Sequence, residues 1–210
     1  MATPTRHSEK PPASAGGGVT TEQEARQRQQ ARFERLAHVV AEPLHRYLLR
    51  RAHADTVEDI LSETMLVLWR RLDDVPGLGS DAIPRSDDVL PWCYGVARGC
   101  LANARRAEGR RLRLMERLVR VHETPSTGAA DHDELHSVLD SLRPLDREVV
   151  RLWAWEGLAP HHIAEVTGMS SNAVSIRLHR AKRKLAEQLQ QGRKNGKEAG
   201  HKTGEGRSSQ

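Results

Sequence analysis

Apolar side chains recur at helical spacing along most of the chain, and no stretch alternates as a strand does. Between residues 24 and 51, Phe33, Leu36, Val40, Leu44, Tyr47 and Leu48 fall three or four apart, the repeat of one helix face. Pro43 lies inside this run, and its missing N–H predicts a kink or a break into two helices there. Val57, Leu61, Met65, Leu68 and Leu72 form the next stripe and predict a helix over 56–73. Asp55 or Thr56 is its expected cap, with Glu58 and Asp59 in the acid-favouring first turn. Residues 74–88, with Pro76, Gly77, Gly79 and Pro84, read as a loop. A long helix follows from Leu90 to about Arg113, with Pro91 near its first turn.

Residues 124–130, Thr-Pro-Ser-Thr-Gly-Ala-Ala, have the composition of a flexible linker. Four shorter helices are predicted beyond it, at 133–142, 144–155, 160–167 and 171–191. The lead-in 1–24 and the basic tail 192–210 carry no apolar period and read as disordered. The expected organisation is therefore all-α. A first helical domain spans 25–122, a linker 123–132, and a second, four-helix domain 133–191.

Composition supports two small cores over one large one. The 210 residues are 37% hydrophobic, below the usual 45–50% or so. No run free of charged residues exceeds eleven residues, so no membrane-spanning helix is expected. No basic segment followed by an apolar one opens the chain, which argues against secretion. Cys93 and Cys100 form no CxxC and no zinc spacing and read as buried, reduced thiols.

Charge is more informative in its distribution than in its net value of +5. Residues 90–122 hold eight arginines against Glu108 and Glu116, whereas 123–142 hold five acids and no Lys or Arg. Residues 143–191 are basic again, with eight Lys and Arg against five acids. Two basic blocks around an acidic spacer point to two polyanion-binding patches.

Residues 160–185 carry the most specific pattern. A short helix with Ile163 and Val166 is followed by a turn at Gly168-Met169-Ser170 and a second helix opening with Ser171 as N-cap. At 100° per residue, Val174, Leu178, Ala181 and Leu185 share one face, and Asn172, Ile176, His179, Arg180 and Arg183 share the opposite one. That division suits a recognition helix, with polar residues at its start on base edges and later Arg and Lys on phosphates. In the first domain, Asp59, Ser62, Glu63, Leu66 and Arg70 lie opposite the apolar stripe of their helix, an acid-lined Leu that is either a solvated face with one stray apolar residue or a small surface for docking a partner helix. Trp92 and Tyr94 precede the arginines of the long helix. They are either core residues or a stacking platform for unpaired bases.

Together these segments resemble the extracytoplasmic-function (ECF) group of bacterial sigma factors, over about residues 30–191. Asp59-Ile60-Leu61-Ser62-Glu63-Thr64-Met65-Leu66-Val67-Leu68-Trp69-Arg70 resembles the segment that docks on RNA polymerase. Trp92-Cys93-Tyr94-Gly95-Val96-Ala97-Arg98, with Leu101-Ala102-Asn103-Ala104-Arg105-Arg106, resembles the helix that engages the −10 element. Leu142-Arg143-Pro144-Leu145-Asp146-Arg147-Glu148 and Ser171-Asn172-Ala173-Val174-Ser175-Ile176-Arg177-Leu178-His179-Arg180-Ala181 resemble the approach to, and the reading helix of, the −35 helix-turn-helix. Ser62 stands where the family usually has Gln, and Gly99 where Asn is common.

The resemblance implies a sigma factor that binds core RNA polymerase through Asp59, Ser62, Glu63, Leu66 and Arg70. It assigns Trp92, Arg98, Asn103, Arg105, Arg106 and Arg110 to the −10 element. It assigns Ser171, Asn172, Ser175, Ile176, His179, Arg180, Arg183 and Lys184 to the −35 element. Core RNA polymerase and promoter DNA are the partners it implies, and an anti-sigma factor is common in the family. It implies no catalytic residue, metal or cofactor, and a cytoplasmic location. The competing reading is a two-domain helix-turn-helix repressor or activator that does not dock on polymerase. An enzyme is disfavoured: His161-His162 and Glu165 form no HExxH, and no Gly-rich phosphate loop is present.

Overall fold

The computed structural model describes residues 17–79, 82–118 and 138–201, with side chains over 21–79, 82–115 and 138–191. The regular structure of the described residues is helical, with no strand among them. Helix α1 spans Gly17–Leu49, α2 Ala54–Arg70 and α3 Ser86–Leu118, with a short 3-10 turn at Leu72–Asp74 between the last two. Helix α4 spans Pro144–Ala154, α5 Pro160–Thr167 and α6 Ser171–His201. Much of the helix expected at 133–142, and the linker before it, lie outside the described residues, as do 1–16 and 202–210.

Helices α1, α2 and α3 pack pairwise into a bundle. Its centre holds Leu36, Val40, Leu44 and Tyr47 of α1, Val57, Ile60 and Leu68 of α2, and Val89, Cys93 and Ala97 of α3, all buried. The stripe read from the sequence is the face that packs, with Ile60 and Thr64 joining it on α2. Thr64 is wholly buried and donates its hydroxyl to the Ile60 carbonyl at 2.7 Å. A hydroxyl turned back on its own helix leaves no orphan polar atom in the core.

Helix α1 runs unbroken through Pro43. Leu44, Tyr47 and Leu48, just beyond the proline, are fully buried. Packing on both sides of the proline outweighs the one missing helical hydrogen bond. The helix also begins earlier than the apolar pattern does, at Gly17. Residues 21–30 are exposed, and an Arg28–Glu24 pair at 3.8 Å and a Gln30–Glu34 hydrogen bond at 2.9 Å support this turn locally. Two caps differ from expectation. The N-cap of α2 is His53, with Thr56 donating from both N–H and hydroxyl to the His53 carbonyl. In α6 it is the Ser170 hydroxyl, not Ser171, that accepts from the Ala173 N–H, at 3.3 Å.

Helices α4, α5 and α6 also pack pairwise. Helices α4 and α5 both start with proline, whose missing N–H costs nothing in the first turn. Gly168 ends α5 at φ 71°, a left-handed conformation that sets the sharp angle between α5 and α6. Leu139, Val149, Leu152, Ile163, Val174 and Leu178 fill this second centre. The two centres are not separate: α5 packs on α3, and the buried residues form one continuous cluster.

Asp146 ties the second bundle together. Its carboxylate accepts from Arg143 Nε at 2.9 Å and from Arg177 Nη1 of α6 at 2.8 Å. Desolvation pushes its pKa up, but the hydrogen bonds from Arg177 and Arg143 outweigh this and hold it below the ordinary value of 3.8. A carboxylate whose pKa is depressed on folding stabilises the fold above its unfolded pKa, and that contribution is lost as pH falls through the folded value. Asp146→Ala is therefore expected to lower stability at pH 7 by about 2 kcal/mol. The deficit should shrink below pH 4, as read from urea midpoints across pH. A deficit that does not change with pH would mean the carboxylate charge is not what holds Arg177.

Candidate nucleic-acid and partner interface

Three helix faces carry the residues singled out by the sequence. On α2, Asp59, Ser62, Glu63, Leu66 and Arg70 are all exposed, Leu66 by 47%. Val57, Ile60, Thr64 and Leu68 occupy the buried side. An apolar side chain standing among carboxylates in the open is the combination expected of a contact surface for a helix bearing basic residues.

Helix α3 is more divided. Asn103, Arg105, Arg106 and Arg110 are exposed, whereas Trp92 and Arg98 are half-buried. The Arg71 guanidinium sits 5.1 Å from the Trp92 ring centroid. Arg106 donates to Asn103 Oδ1, and Arg105 Nη2 donates to the Arg51 carbonyl at 2.5 Å. Tyr94 is a core residue, 3% exposed, with its ring 5.2 Å from that of Tyr47. Cys93 and Cys100 are buried free thiols, and burial pushes the Cys93 thiol up to about 12 and raises Cys100 as well, which disfavours the reactive thiolate.

Helix α6 splits into two faces as its sequence predicts. Val174, Leu178 and Ala181 are buried, and Ser171, Asn172, Ser175, Ile176, His179, Arg180, Arg183 and Lys184 are exposed. Within the exposed set, the first two turns and the later turns differ. Asn172, Ile176, His179 and Arg180 lie opposite the buried stripe, with Ile176 44% exposed. Ser175 donates its hydroxyl to the Ser171 carbonyl at 2.9 Å. Arg183 pairs with Glu187 at 3.6 Å, and Lys184 Nζ donates to the Ser141 carbonyl at 2.8 Å. Lys182 Nζ stands 3.3 Å from the Trp153 ring centroid.

Sequence reading missed the residues that join the two bundles. Arg50 and Arg51, just after α1, meet Glu148 of α4 and Glu156 just beyond it. An arginine pair after a helix is the ordinary pattern of a solvated C-terminus, so no local signal distinguishes these two. Among the described residues no cluster of His, Cys, Asp or Glu has the arrangement of a metal site, and no helix is long and apolar enough to cross a membrane.

Comparison with known proteins places these faces in context. The family profile "Sigma-70, region 4" matches residues 132–185, which include α4, α5 and the first half of α6. The chain is 29% identical over 161 residues to the ECF RNA polymerase sigma factor SigL of Mycobacterium tuberculosis, covering 70% of this chain and 83% of that protein. Its fold is similar to that of the PhyRSL–NepR complex from Sphingomonas sp. Fr1, with a TM-score of 0.51 and 18% identity over 72% of this chain and 87% of that one. The sigma factor RpoE of Bartonella quintana, solved with the anti-sigma factor NepR, aligns with a TM-score of 0.47 at 19% identity, over 81% and 97% of the two chains.

Proposed function

We infer how this chain works from the premise that it belongs to the ECF group of sigma factors: it directs transcription initiation by core RNA polymerase at selected promoters and catalyses nothing itself. Its first bundle, in this reading, holds polymerase and the opened −10 region, and its second reads the −35 duplex. The division of α6 into a buried apolar face and an exposed polar face, within the segment matched by the region 4 profile, is the observation that carries it.

The exposed acid and leucine face of α2, Asp59 to Arg70, is assigned to polymerase. The −10 strand is assigned to Trp92, Arg98, Asn103, Arg105, Arg106 and Arg110, where an aromatic beside arginines offers stacking and phosphate contacts to unpaired bases. The −35 element is assigned to Ser171, Asn172, Ser175, Ile176, His179, Arg180, Arg183 and Lys184. A cytoplasmic location follows from these partners, and the family adds an anti-sigma factor as a third. The deciding experiment is run-off transcription with core polymerase on the chain's own upstream region. A product that depends on the chain supports this reading. Duplex binding without core binding would favour a repressor or activator instead.

Within α6, base reading and phosphate holding separate by position. Asn172 and Ile176 lie in the first two turns, where Asn pairs bidentately with adenine and Ile packs on a thymine methyl. Asn172→Ala is expected to relax preference at one −35 position, by about 1–3 kcal/mol of discrimination. Arg180→Ala is expected to weaken all sequences by one factor and to reduce the log–log salt slope by about 0.9. Competition among single-base −35 variants separates the two. If Asn172→Ala scales every variant equally, Asn172 does not read a base.

A further inference from the structure

Two arginines stand side by side at the end of α2, and nothing in the sequence separates them. Arg70 is the last helical residue and belongs to the exposed face assigned to polymerase. Arg71 is the C-cap, and its backbone has left the helix at φ −115° and ψ 28°. Its guanidinium stands over the Trp92 ring of α3, 5.1 Å from the centroid. Arg71 also lines the same cleft as Trp92, Arg98 and Asn103, three residues assigned to the −10 strand. Within the first bundle that cleft has two walls. Helix α3 supplies those three, and the end of α2 supplies Val67 and Arg71. Arg71 is therefore the cation that the α2 wall offers.

In the free chain this guanidinium already has an anion. Arg71 Nε donates to Asp74 Oδ2 at 2.8 Å. The adjacent Asp73 is taken by Arg32 of α1 at 2.7 Å, so the two acids of the 3-10 turn hold different arginines. Both side chains of the Arg71–Asp74 pair stand about half in solvent, 53% and 55% exposed. An ion pair in water contributes little and is easily traded for another. It can also be reached by a strand entering the cleft. A base stacked on Trp92 carries a phosphate on either side of it, and a guanidinium beside the ring presents a fork of N–H donors that matches phosphate oxygens.

We propose that Arg71 is a further contact for the unpaired −10 strand, taking the phosphate beside the base stacked on Trp92, and that this phosphate replaces the Asp74 carboxylate. The assignment rests on the sigma-factor reading of α3. One anion leaves the guanidinium as another arrives, so the positive charge at the ring is never left uncompensated. Arg71 supports strand binding, and Asp74 opposes it by competing for Arg71. A closed duplex keeps its bases stacked on one another and offers none to Trp92, so Arg71 acts on the opened strand and not on the −35 duplex.

The test uses the full chain assembled with core polymerase and a labelled single strand carrying the −10 segment of the chain's own upstream region. Arg71→Gln keeps the stem of the side chain and removes the charge. It is expected to weaken binding of that strand about fivefold and to lower its log–log salt slope by about 0.7. Arg71→Lys should restore the slope, a recovery that a purely structural role would not give. Asp74→Asn is expected to tighten the strand about twofold, and to have no effect in an Arg71→Gln background. Affinities for core enzyme and for a −35 duplex should stay at the wild-type level throughout. Unchanged strand affinity and slope in Arg71→Gln would overturn the contact. A loss confined to core binding would overturn it as well, by moving Arg71 to the polymerase face. Tightening by Asp74→Asn that persists alongside Arg71→Gln would overturn the exchange, because Asp74 would then act on the strand directly. If Arg71→Gln loses helicity, Asp74→Asn decides alone, and an unchanged strand affinity there means that Asp74 does not compete for Arg71. A wild-type assembly that binds the −10 strand no better than a shuffled one would instead fail the sigma-factor reading of α3, and the Arg71 assignment with it.

Discussion

Leu68→Ala is expected to lower the unfolding free energy of the chain by about 3 kcal/mol, whereas Leu66→Ala, two residues away on the same helix, should change it by less than about 0.5 kcal/mol. Leu68 is wholly buried where α1, α2 and α3 converge, and Leu66 is 47% exposed. Truncating Leu68 loses the transfer free energy of its methyl groups and leaves a void. The close-packed helices around it relax only in part, so much of the void remains. Leu66 lies outside the buried cluster with about half its surface in solvent, and truncating it leaves no enclosed void. Urea unfolding of the two variants gives the comparison directly. Equal destabilisation would mean that the outer face of α2 is buried in solution and unavailable to a partner.

The second large effect is on function. Replacing Glu63 and Leu66 together by Arg is expected to weaken binding to core polymerase about a hundredfold, with helicity and thermal stability unchanged. Burying an exposed Leu in a partner groove contributes about 1.5–3 kcal/mol, and 2.8 kcal/mol corresponds to a factor of about a hundred. Reversing the neighbouring charge adds repulsion against any basic partner helix and slows encounter. Both side chains point away from the first core, so the fold has no stake in them. Gel filtration with core enzyme and run-off transcription measure the loss. Undiminished assembly would move polymerase docking off α2, and the family's usual Gln, here Ser62, would be the first sign that it had moved.

Much of this molecule is determined by its sequence alone, wherever a local period specifies a face. The stripe from Leu36 to Leu48, the α2 stripe and the Val174–Leu178–Ala181 stripe each pack as written, because a helix carries its own geometry and only one side of each is apolar. The turn at Gly168 and the open face of α6 follow from the same local rules. Whether Pro43 breaks α1 was decided by the core on either side of it. Trp92 and Tyr94 were indistinguishable in the sequence, and tertiary packing buried the second while leaving the first half-open at a cleft. The fate of the charged residues was decided at longer range still. Arg51 and Glu156 lie 105 positions apart, and nothing near either one marks it for burial. A charge becomes buried only when another element brings its counter-ion and excludes water, and that pairing exists in the folded arrangement of the two bundles and not in any stretch of the chain.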